Sequence, residues 1–542
     1  MNFQGPDQPI YYAYTASICE NRDLNVVTQM ADPARPFQVT ETYNYPDYHN
    51  HGGVVFWAPF YLYGKLSYGL AGKVWPALCS RYSQERVIRS ALSFSTVFFT
   101  VLTFLLVYLF CSAFFSRRLS LLATIAVFFG TPFFDCAIFE TGNANVIIIP
   151  FAVISLWFCQ YAGTLGRRDW FLYGLFFSMC LALKTEMAFQ LLLIGSLLLL
   201  VLRPGKRALA AGLLFCAGLF PGLVLRLVND VLKYGSLHVG EAGVFTARNF
   251  YFFEQLFSSY RGFLYTSPLF YLCLIGFCLL ARDAVRQEKN SDRGGSLFLV
   301  LAGLYLAIKI FLLSFRYAWG GGTPGARILL TEAPVIALLY AAAFKSRQRP
   351  LRMLVALSSL LCISWNIITV YEYYRSLDIA YLAQTPGMGA RFRMLPQALR
   401  ALVQPRDVDL KLYFDLPLLA AGCWCIFYLA RRLTAAPFSS SPDAASAAGC
   451  RTMLLRATCG LTIFLYVSYG AVTLLNWRNN RYNVEALAAA GFFKNASVIK
   501  PGDFERRENI SSFKEMIEYY SAKGDAARVE RIKRLQKELY NE

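Results

Sequence analysis

The sequence predicts an all-α fold, a polytopic bundle of membrane-spanning helices. Of its 542 residues, 56% are hydrophobic and 16% are charged, whereas an average soluble domain carries roughly a quarter of charged residues. The apolar residues also cluster in long runs, and residues 98–115 contain no charge. About 20 apolar residues cross a hydrocarbon core, and only a helix satisfies its own backbone groups there.

About a dozen apolar segments are candidate spans, and we expect one more upstream of residue 1. The two short segments on either side of Lys184 are either separate spans or one broken element. The candidates are Ile88–Phe114, Leu119–Ile138, Val146–Gly163, Trp170–Leu183, Met187–Leu202, Ala208–Val228, Gly262–Leu280, Leu297–Phe315, Ile328–Phe344, Leu354–Glu372, Leu412–Ala430 and Leu454–Leu475.

The net charge of +19 comes largely from basic clusters between these segments. The clusters lie in every second loop, which is the positive-inside pattern of cytoplasmic loops. The charge is therefore interpreted as topogenic, and no nucleic-acid partner is predicted. The clusters are Arg117–Arg118, Arg167–Arg168, Arg203–Arg207, Arg282–Arg293, Lys345–Arg352 and Arg431–Arg451.

The same alternation places residues 1–87 outside the cytoplasm, before a helix bundle over 88–476 and an extracytoplasmic tail over 477–542. Within the first loop, Val54–Ala77 is apolar but interrupted by Pro59, Lys65 and Lys73. It is predicted to be a helix lying along the outer interface. Helices over Phe513–Tyr520 and Ala527–Leu539 are predicted to form a small hairpin in the tail.

Metal binding has weak support in the sequence. Most of the 14 cysteines lie in predicted helices, where they act as small buried hydrophobes. His49 and His51 form a His-x-His pair that could bind a divalent cation with Asp7 or Asp47. Ordinary loop histidines that hydrogen-bond to water or to an acceptor are the alternative. No metal site and no obligatory cofactor are predicted.

The first loop and three later motifs together resemble a known family. Arg316–Arg327 has a Trp-Gly-Gly-Gly-x-x-Gly-x-Arg pattern. The other segments are Gly5–Tyr12, His51–Gly53 leading to Pro59, Asn229 with Tyr234–Ser236, and Tyr260–Pro268. These are similar in order to the loops of GT-C superfamily glycosyltransferases, in the protein-mannosyltransferase-like and aminoarabinose-transferase-like branch. The resemblance covers roughly residues 5–345, and here Gln8 stands where the family has a second acidic residue.

The resemblance implies an enzyme of the bacterial inner membrane that works on its extracytoplasmic face. It would transfer a sugar from a polyprenyl-phosphate donor to a glycolipid, polysaccharide or protein acceptor, with inversion. Asp7 is then the expected general base. The donor phosphate would be bound by Arg327, Arg316, Arg261 and Lys184. The sugar or acceptor would contact Tyr11, Tyr12, Asp47, His49, His51, Glu140 and Asn143.

Several of these residues also have a structural alternative. Asp7 could cap a helix that starts at Pro9, and the arginines could anchor helix ends at the interface. Lys184 could pair with Glu186 at a helix junction, and Glu140 and Asn143 could cap the helix beginning at Asn145.

A different function is also open. A transporter or flippase for a lipid-linked substrate would have ionisable residues near helix midpoints, and Arg226 and Lys309 are candidates. A scaffold acting through the tail is a third possibility.

Overall fold

A computed structural model of the protein is 86% helical and nearly all-α, as the sequence predicts. The chain forms two compact units. Unit 1 comprises Met1–Ala113, Ala137–Gly240 and Arg406–Pro501, and unit 2 comprises Phe114–Cys136, Glu241–Pro405 and Gly502–Glu542. The structure describes residues 8–46, 51–139, 142, 144–200, 205–235, 250–258, 262–286, 293–315, 327–344, 349–376, 392–403, 416–418, 420–422, 424, 428, 444–499, 510, 513–514, 517–518, 520–522 and 524–540.

Unit 1 contains the first loop and several long helices. Its elements are α1 Gln8–Glu20, α2 Val27–Met30, β1 Phe37–Val39, a 3-10 turn His51–Gly53, α3 Val54–Val74, α4 Pro76–Arg81, α5 Gln84–Ser112, α8 Ala144–Gln160, a turn Ala162–Thr164, α9 Arg167–Leu183, a turn Thr185–Phe189, α10 Gln190–Leu200, α11 Lys206–Tyr234, α19 Ala444–Ala489, a turn Phe492–Asn495 and β2 Ala496–Val498.

Unit 2 is mostly helical in its described part. It contains α6 Arg117–Gly130, most of α7 Pro132–Ile138, α12 Phe252–Phe257, α13 Phe263–Thr266, α14 Leu269–Arg286, α15 Arg293–Leu313, a 3-10 turn Arg327–Glu332, α16 Ala333–Phe344, α17 Arg349–Ser376, α18 Leu395–Val403 and α20 Ala526–Tyr540. The last of these is the second helix predicted in the tail.

Four helices of the described part are long and apolar enough to cross a membrane. They are Gln84–Ser112, Lys206–Tyr234, Arg349–Glu372 and Leu455–Ala489. Other predicted spans appear as shorter apolar helices, such as Ala144–Gln160 and Leu297–Leu313. The count of about a dozen spans is therefore not confirmed, and most of Leu412–Ala430 lies outside the described residues.

One predicted span is bent in the structure. The sequence predicts a single helix over Leu119–Ile138, but α6 and α7 meet at an angle of 72°. Thr131 between them is extended, because a residue before a proline avoids the helical region and Pro132 follows it.

Helices α9 and α11 of unit 1 run in parallel and touch along glycines. A side chain at Gly174 would collide with Phe215 O, and one at Gly218 would collide with Phe171 O. About two turns further along, Arg226 Nη1 donates to Leu181 O at 2.9 Å. At the other end, Arg207 Nη2 donates to Gly163 O at 3.0 Å. Since both helices start at one end, the chain returns between them through α10, which runs in the opposite direction to α9.

Helix α19 runs in the same direction as α9 and α11. Its Tyr466 hydroxyl bonds to Ser178 Oγ at 2.7 Å, and its Thr473 Oγ1 accepts from Asn229 Nδ2 at 2.7 Å. The three helices therefore begin beside the basic clusters Arg167–Arg168, Lys206–Arg207 and Arg451. We call the opposite end, where α9 ends at Leu183 and α11 ends at Tyr234, the polar end of unit 1.

The predicted helix in the first loop forms as α3, over Val54–Val74. Its buried side lies on α5, where Gly64 faces Ile88 and Ala91. Leu62, Leu66 and Leu70 form an exposed apolar stripe at a spacing of four residues. This pattern is typical of a helix with one face toward lipid.

A short parallel strand pair joins the first loop to the segment after α19, and the sequence did not predict it. Phe37 pairs with Ala496 and Val39 with Val498, and Ile499 N donates to Val39 O at 2.8 Å. Residues 477–499 are thus part of unit 1, through α19 and this strand.

The glycine contact between α9 and α11 can be tested by adding one methyl group. We expect Gly174→Ala to lower the free energy of unfolding by about 1–3 kcal/mol, because the added Cβ forces the two backbones apart. Thermal unfolding of the purified protein in detergent would measure the loss.

Gly195→Ala in α10 is the matched control, since a Cβ there meets nothing within 4 Å. Equal stability of the two variants would contradict the close approach of α9 and α11.

Candidate functional site

The structure describes some of the predicted site residues and not others. Tyr11, Tyr12, Lys184 and Arg327 are described, and His51 is described as the first residue of a 3-10 turn. The remaining ones lie outside the described residues: Asp7, Asp47, His49, Glu140, Asn143, Arg261 and Arg316.

Helix α1 begins at Gln8, directly after Asp7. Its two predicted substrate-contacting tyrosines point to different neighbours. Tyr11 is buried and its ring lies 4.8 Å from the Trp57 ring. The Tyr12 ring lies 5.0 Å from the Arg89 guanidinium carbon, and burial raises the pKa of its phenol.

An ion pair between Glu20 of α1 and Lys65 of α3 fixes the two helices to each other. Lys65 Nζ donates to both carboxylate oxygens of Glu20 at 2.7 Å, and Tyr61 OH donates to the same carboxylate at 3.0 Å. The hydrogen bond from Lys65 is the main reason that the pKa of Glu20 is lowered. This pair is half exposed, so its role is to orient α1 and it contributes little to stability.

The turn that carries His51 lies against the end of α9. A Cβ at Gly52 would lie 2.8 Å from Ala182 O and 3.0 Å from Leu183 Cα. Only glycine allows this approach, so the His51–Gly53 backbone is held beside the residue that precedes Lys184.

Lys184 and Glu186 form the predicted pair at the helix junction. Lys184 Nζ lies 3.8 Å from Glu186 Oε1, with side chains 12% and 7% exposed. Lys184 is extended between α9 and the Thr185–Phe189 turn, and its amide bonds back to Cys180 O. The long distance leaves the lysine ammonium loosely paired.

Arg226 adds a second cation near Lys184. Its Nη1 caps Leu181 O, three residues before Lys184, and its Nε lies 3.6 Å from Asp230 Oδ2. The sequence suggested Arg226 as a mid-helix charge. Its bond to the end of α9 places it near the polar end instead.

Lys233 is a third cation at this end, and sequence reasoning missed it. It is buried, and its Nζ donates to the Tyr14 hydroxyl at 2.5 Å. The hydroxyls of Thr40 and Thr42 donate to Lys233 O. The available signal was an ionisable residue in the last turn of an apolar helix, next to the quoted Tyr234–Ser236 motif.

The polar end of unit 1 therefore gathers three cations, Lys184, Arg226 and Lys233, with two carboxylates, Glu186 and Asp230. The named set carries an excess of one positive charge, in a setting where side chains are mostly buried. Partly desolvated cations of this kind suit an anionic group such as a phosphate.

The first loop is also fixed to α19 by asparagines. Asn476 Oδ1 accepts from Leu24 N at 2.9 Å, and Asn483 Nδ2 donates to Asp23 Oδ2 at 2.7 Å. Asp23 Oδ1 accepts from Ser17 Oγ at 2.5 Å. Burial raises the pKa of the Asp23 carboxyl, and the hydrogen bonds oppose that rise.

Arg327 belongs to unit 2, where it is the first residue of the Arg327–Glu332 turn and is half-buried. Its neighbours in the turn, Leu329 and Leu330, are buried. The turn leads directly into α16.

Among the described residues, no group of three or more His, Cys, Asp or Glu side chains could hold a metal ion. The His49–His51 pair lies largely outside that part of the chain. No family model, curated protein or solved structure matches this chain.

The raised pKa of Asp23 gives a pH-dependent prediction. A carboxyl whose folded pKa is raised contributes stability below its unfolded pKa, and this is lost as pH rises through the folded pKa. We expect wild type to gain stability relative to Asp23→Asn as the pH falls from neutral into the titration range of the carboxyl. Parallel thermal unfolding curves across that pH range would measure the difference.

Comparing two proteins that differ only at Asp23 cancels the titration of every other carboxylate. A wild type that instead loses stability relative to the variant on acidification would contradict the buried position of Asp23.

Proposed function

We propose that this protein is a membrane glycosyltransferase that uses a polyprenyl-phosphate sugar as donor and acts outside the cytoplasm. The observation that carries the proposal is the gathering of Lys184, Arg226 and Lys233 at the polar end of unit 1. The helix that follows Asp7 and the turn that carries His51 belong to the same end. The motif resemblance suggests the same class of enzyme.

The packing of unit 1 supports the proposed side of the membrane. Arg167–Arg168, Lys206–Arg207 and Arg451 lie at one end of α9, α11 and α19, opposite the polar end. By the positive-inside rule, the basic end is cytoplasmic. The polar end then faces the extracytoplasmic side, at the depth where a lipid-borne phosphate would lie.

The proposed reaction uses the phosphate as leaving group. The acceptor hydroxyl attacks the anomeric carbon, the bond from that carbon to the phosphate oxygen breaks, and the configuration inverts. Asp7 takes the hydroxyl proton as general base. Lys184 and Arg226 stabilise the charge that develops on the phosphate. By the motif resemblance, Arg327, Arg316 and Arg261 are also candidate ligands of a donor phosphate. Tyr12 is half-buried and is proposed to contact the sugar or acceptor, whereas the buried Tyr11 would act through the orientation of α1.

The transporter alternative loses one of its two sequence arguments. It requires ionisable residues near helix midpoints, and Arg226 is bonded instead to Leu181 O near the end of α9. Lys309 stays as the mid-helix charge, and its neighbours give it a different explanation below.

The proposal is tested by incubating purified protein with radiolabelled polyprenyl-phosphate sugars and native membranes. We expect wild type to transfer label from one of the donors. Asp7→Asn should slow transfer by roughly 10²–10⁴-fold, because it removes the base. Lys184→Ala should weaken use of the donor by roughly tenfold, since it removes one charged contact.

Lys73→Ala is the control, because Lys73 is an exposed cation on α3 outside the proposed site. Full activity in both Asp7→Asn and Lys184→Ala would refute the site, and wild type that uses no donor in the panel would refute the function.

A further inference from the structure

Unit 2 contains an ion pair that is sealed from solvent. Lys309 Nζ lies 2.8 Å from Glu332 Oε1, and both side chains are 0% exposed. A charge in an apolar helix is costly, and such residues are usually functional. Buried ion pairs seldom add net stability compared with apolar residues of the same volume, so stability alone does not explain this one.

The ion pair belongs to a hydrogen-bond network centred on one oxygen of Glu332. Glu332 Oε1 accepts from Lys309 Nζ, from Tyr305 OH at 2.7 Å and from Thr331 Oγ1 at 2.9 Å. Lys309 Nζ also donates to Thr331 Oγ1 at 2.9 Å. Tyr305 and Lys309 are four residues apart and so share one face of α15. Among the described residues, the second oxygen of Glu332 accepts no hydrogen bond.

The network holds the last residues of the turn whose first residue is Arg327. The Arg327–Glu332 turn is a six-residue 3-10 helix, longer than the runs of three or four residues that are usual. A 3-10 helix has poorer hydrogen bonds than an α-helix, so a run of this length needs support from outside. The face of α15 that carries Tyr305 and Lys309 provides that support at Glu332.

We propose that Tyr305, Lys309 and Glu332 form a clamp that positions Arg327 to bind the phosphate of a polyprenyl-phosphate lipid. This inference rests on the proposed function, in which Arg327 is a candidate phosphate ligand. The clamp residues are positioning residues that act through the turn. The mid-helix charge of Lys309 is then explained without a transported substrate.

The test removes the clamp without leaving an unpaired buried charge. In the double variant Lys309→Met/Glu332→Met, both partners become apolar residues of similar length, which a buried site tolerates. Amide hydrogen exchange of the 327–332 peptide should become roughly tenfold faster, since the end of the turn is released. Equilibrium binding of polyprenyl phosphate should weaken by roughly tenfold, the loss of about one charge-assisted contact.

Two further variants separate positioning from general stability. Glu332→Gln keeps the oxygen that accepts the three bonds and should restore slow exchange and binding relative to Glu332→Ala. Tyr340→Phe is the control, because it removes another buried hydrogen bond of unit 2, the 2.6 Å bond from Tyr340 OH to Ser359 Oγ. It should change neither measurement.

A double-mutant cycle with Arg327→Ala tests whether the clamp affects phosphate binding through Arg327. If the clamp acts through Arg327, removing the clamp costs little further binding once Arg327 is absent. Unchanged exchange at 327–332, an equal loss of binding with and without Arg327, or no binding of polyprenyl phosphate by wild type would each overturn the proposal. Wild type that binds polyprenyl phosphate but transfers no sugar would refute the proposed function and leave the clamp standing.

Discussion

The close contact between α9 and α11 is the constraint on which the polar end of unit 1 depends. Gly174 and Gly218 let the two backbones meet, and this contact fixes the parallel register of the helices. In that register, Leu183 and Tyr234 end on the same side. Without this register, Arg226 could not reach Leu181 O. Lys184 and Lys233 would then not be held at the same end of unit 1.

At the polar end of unit 1, neighbouring side chains donate hydrogen bonds to the last carbonyls of α9 and α11. The last carbonyls of a helix have no partner within the helix. Arg226 satisfies Leu181 O, and the hydroxyls of Thr40 and Thr42 satisfy Lys233 O. The first loop is thus fixed to α11 by bonds that the end of α11 requires in any case. Charged side chains at these ends serve both the fold and the proposed chemistry.

Local patterns in the sequence predicted the features that local physics decides. The interrupted apolar run Val54–Ala77 predicted α3, and the segment Ala527–Leu539 predicted α20. The bend at Thr131 also has a local cause, the proline at position 132. The apolar run across this position nevertheless led to the prediction of one straight helix. Three-residue strands such as Phe37–Val39 carry no such signal, since their pairing depends on a distant segment.

The site was predicted only in part, for a related reason. Lys184 was singled out because charge is rare between apolar runs, and its pairing with Glu186 follows from their spacing. The environment of Lys233 depends on Tyr14, which is 219 positions away, and no spacing rule connects the two. The clamp on Glu332 likewise joins residues of two helices, so only the folded chain brings Tyr305 and Lys309 to it.

The strand pair, and the asparagine bonds between the first loop and α19, also constrain the order of folding during synthesis. Leu24 and Asn476 are 452 positions apart, and a ribosome adds roughly 5–20 residues each second. The first loop therefore waits on the order of 20–90 s for the segment that completes it. Through that interval β1 has no partner strand, and the part of α1 that contacts α19 is uncovered. A nascent chain stalled before α19 would therefore lack both the strand partner of β1 and the Asn476 acceptor of Leu24 N.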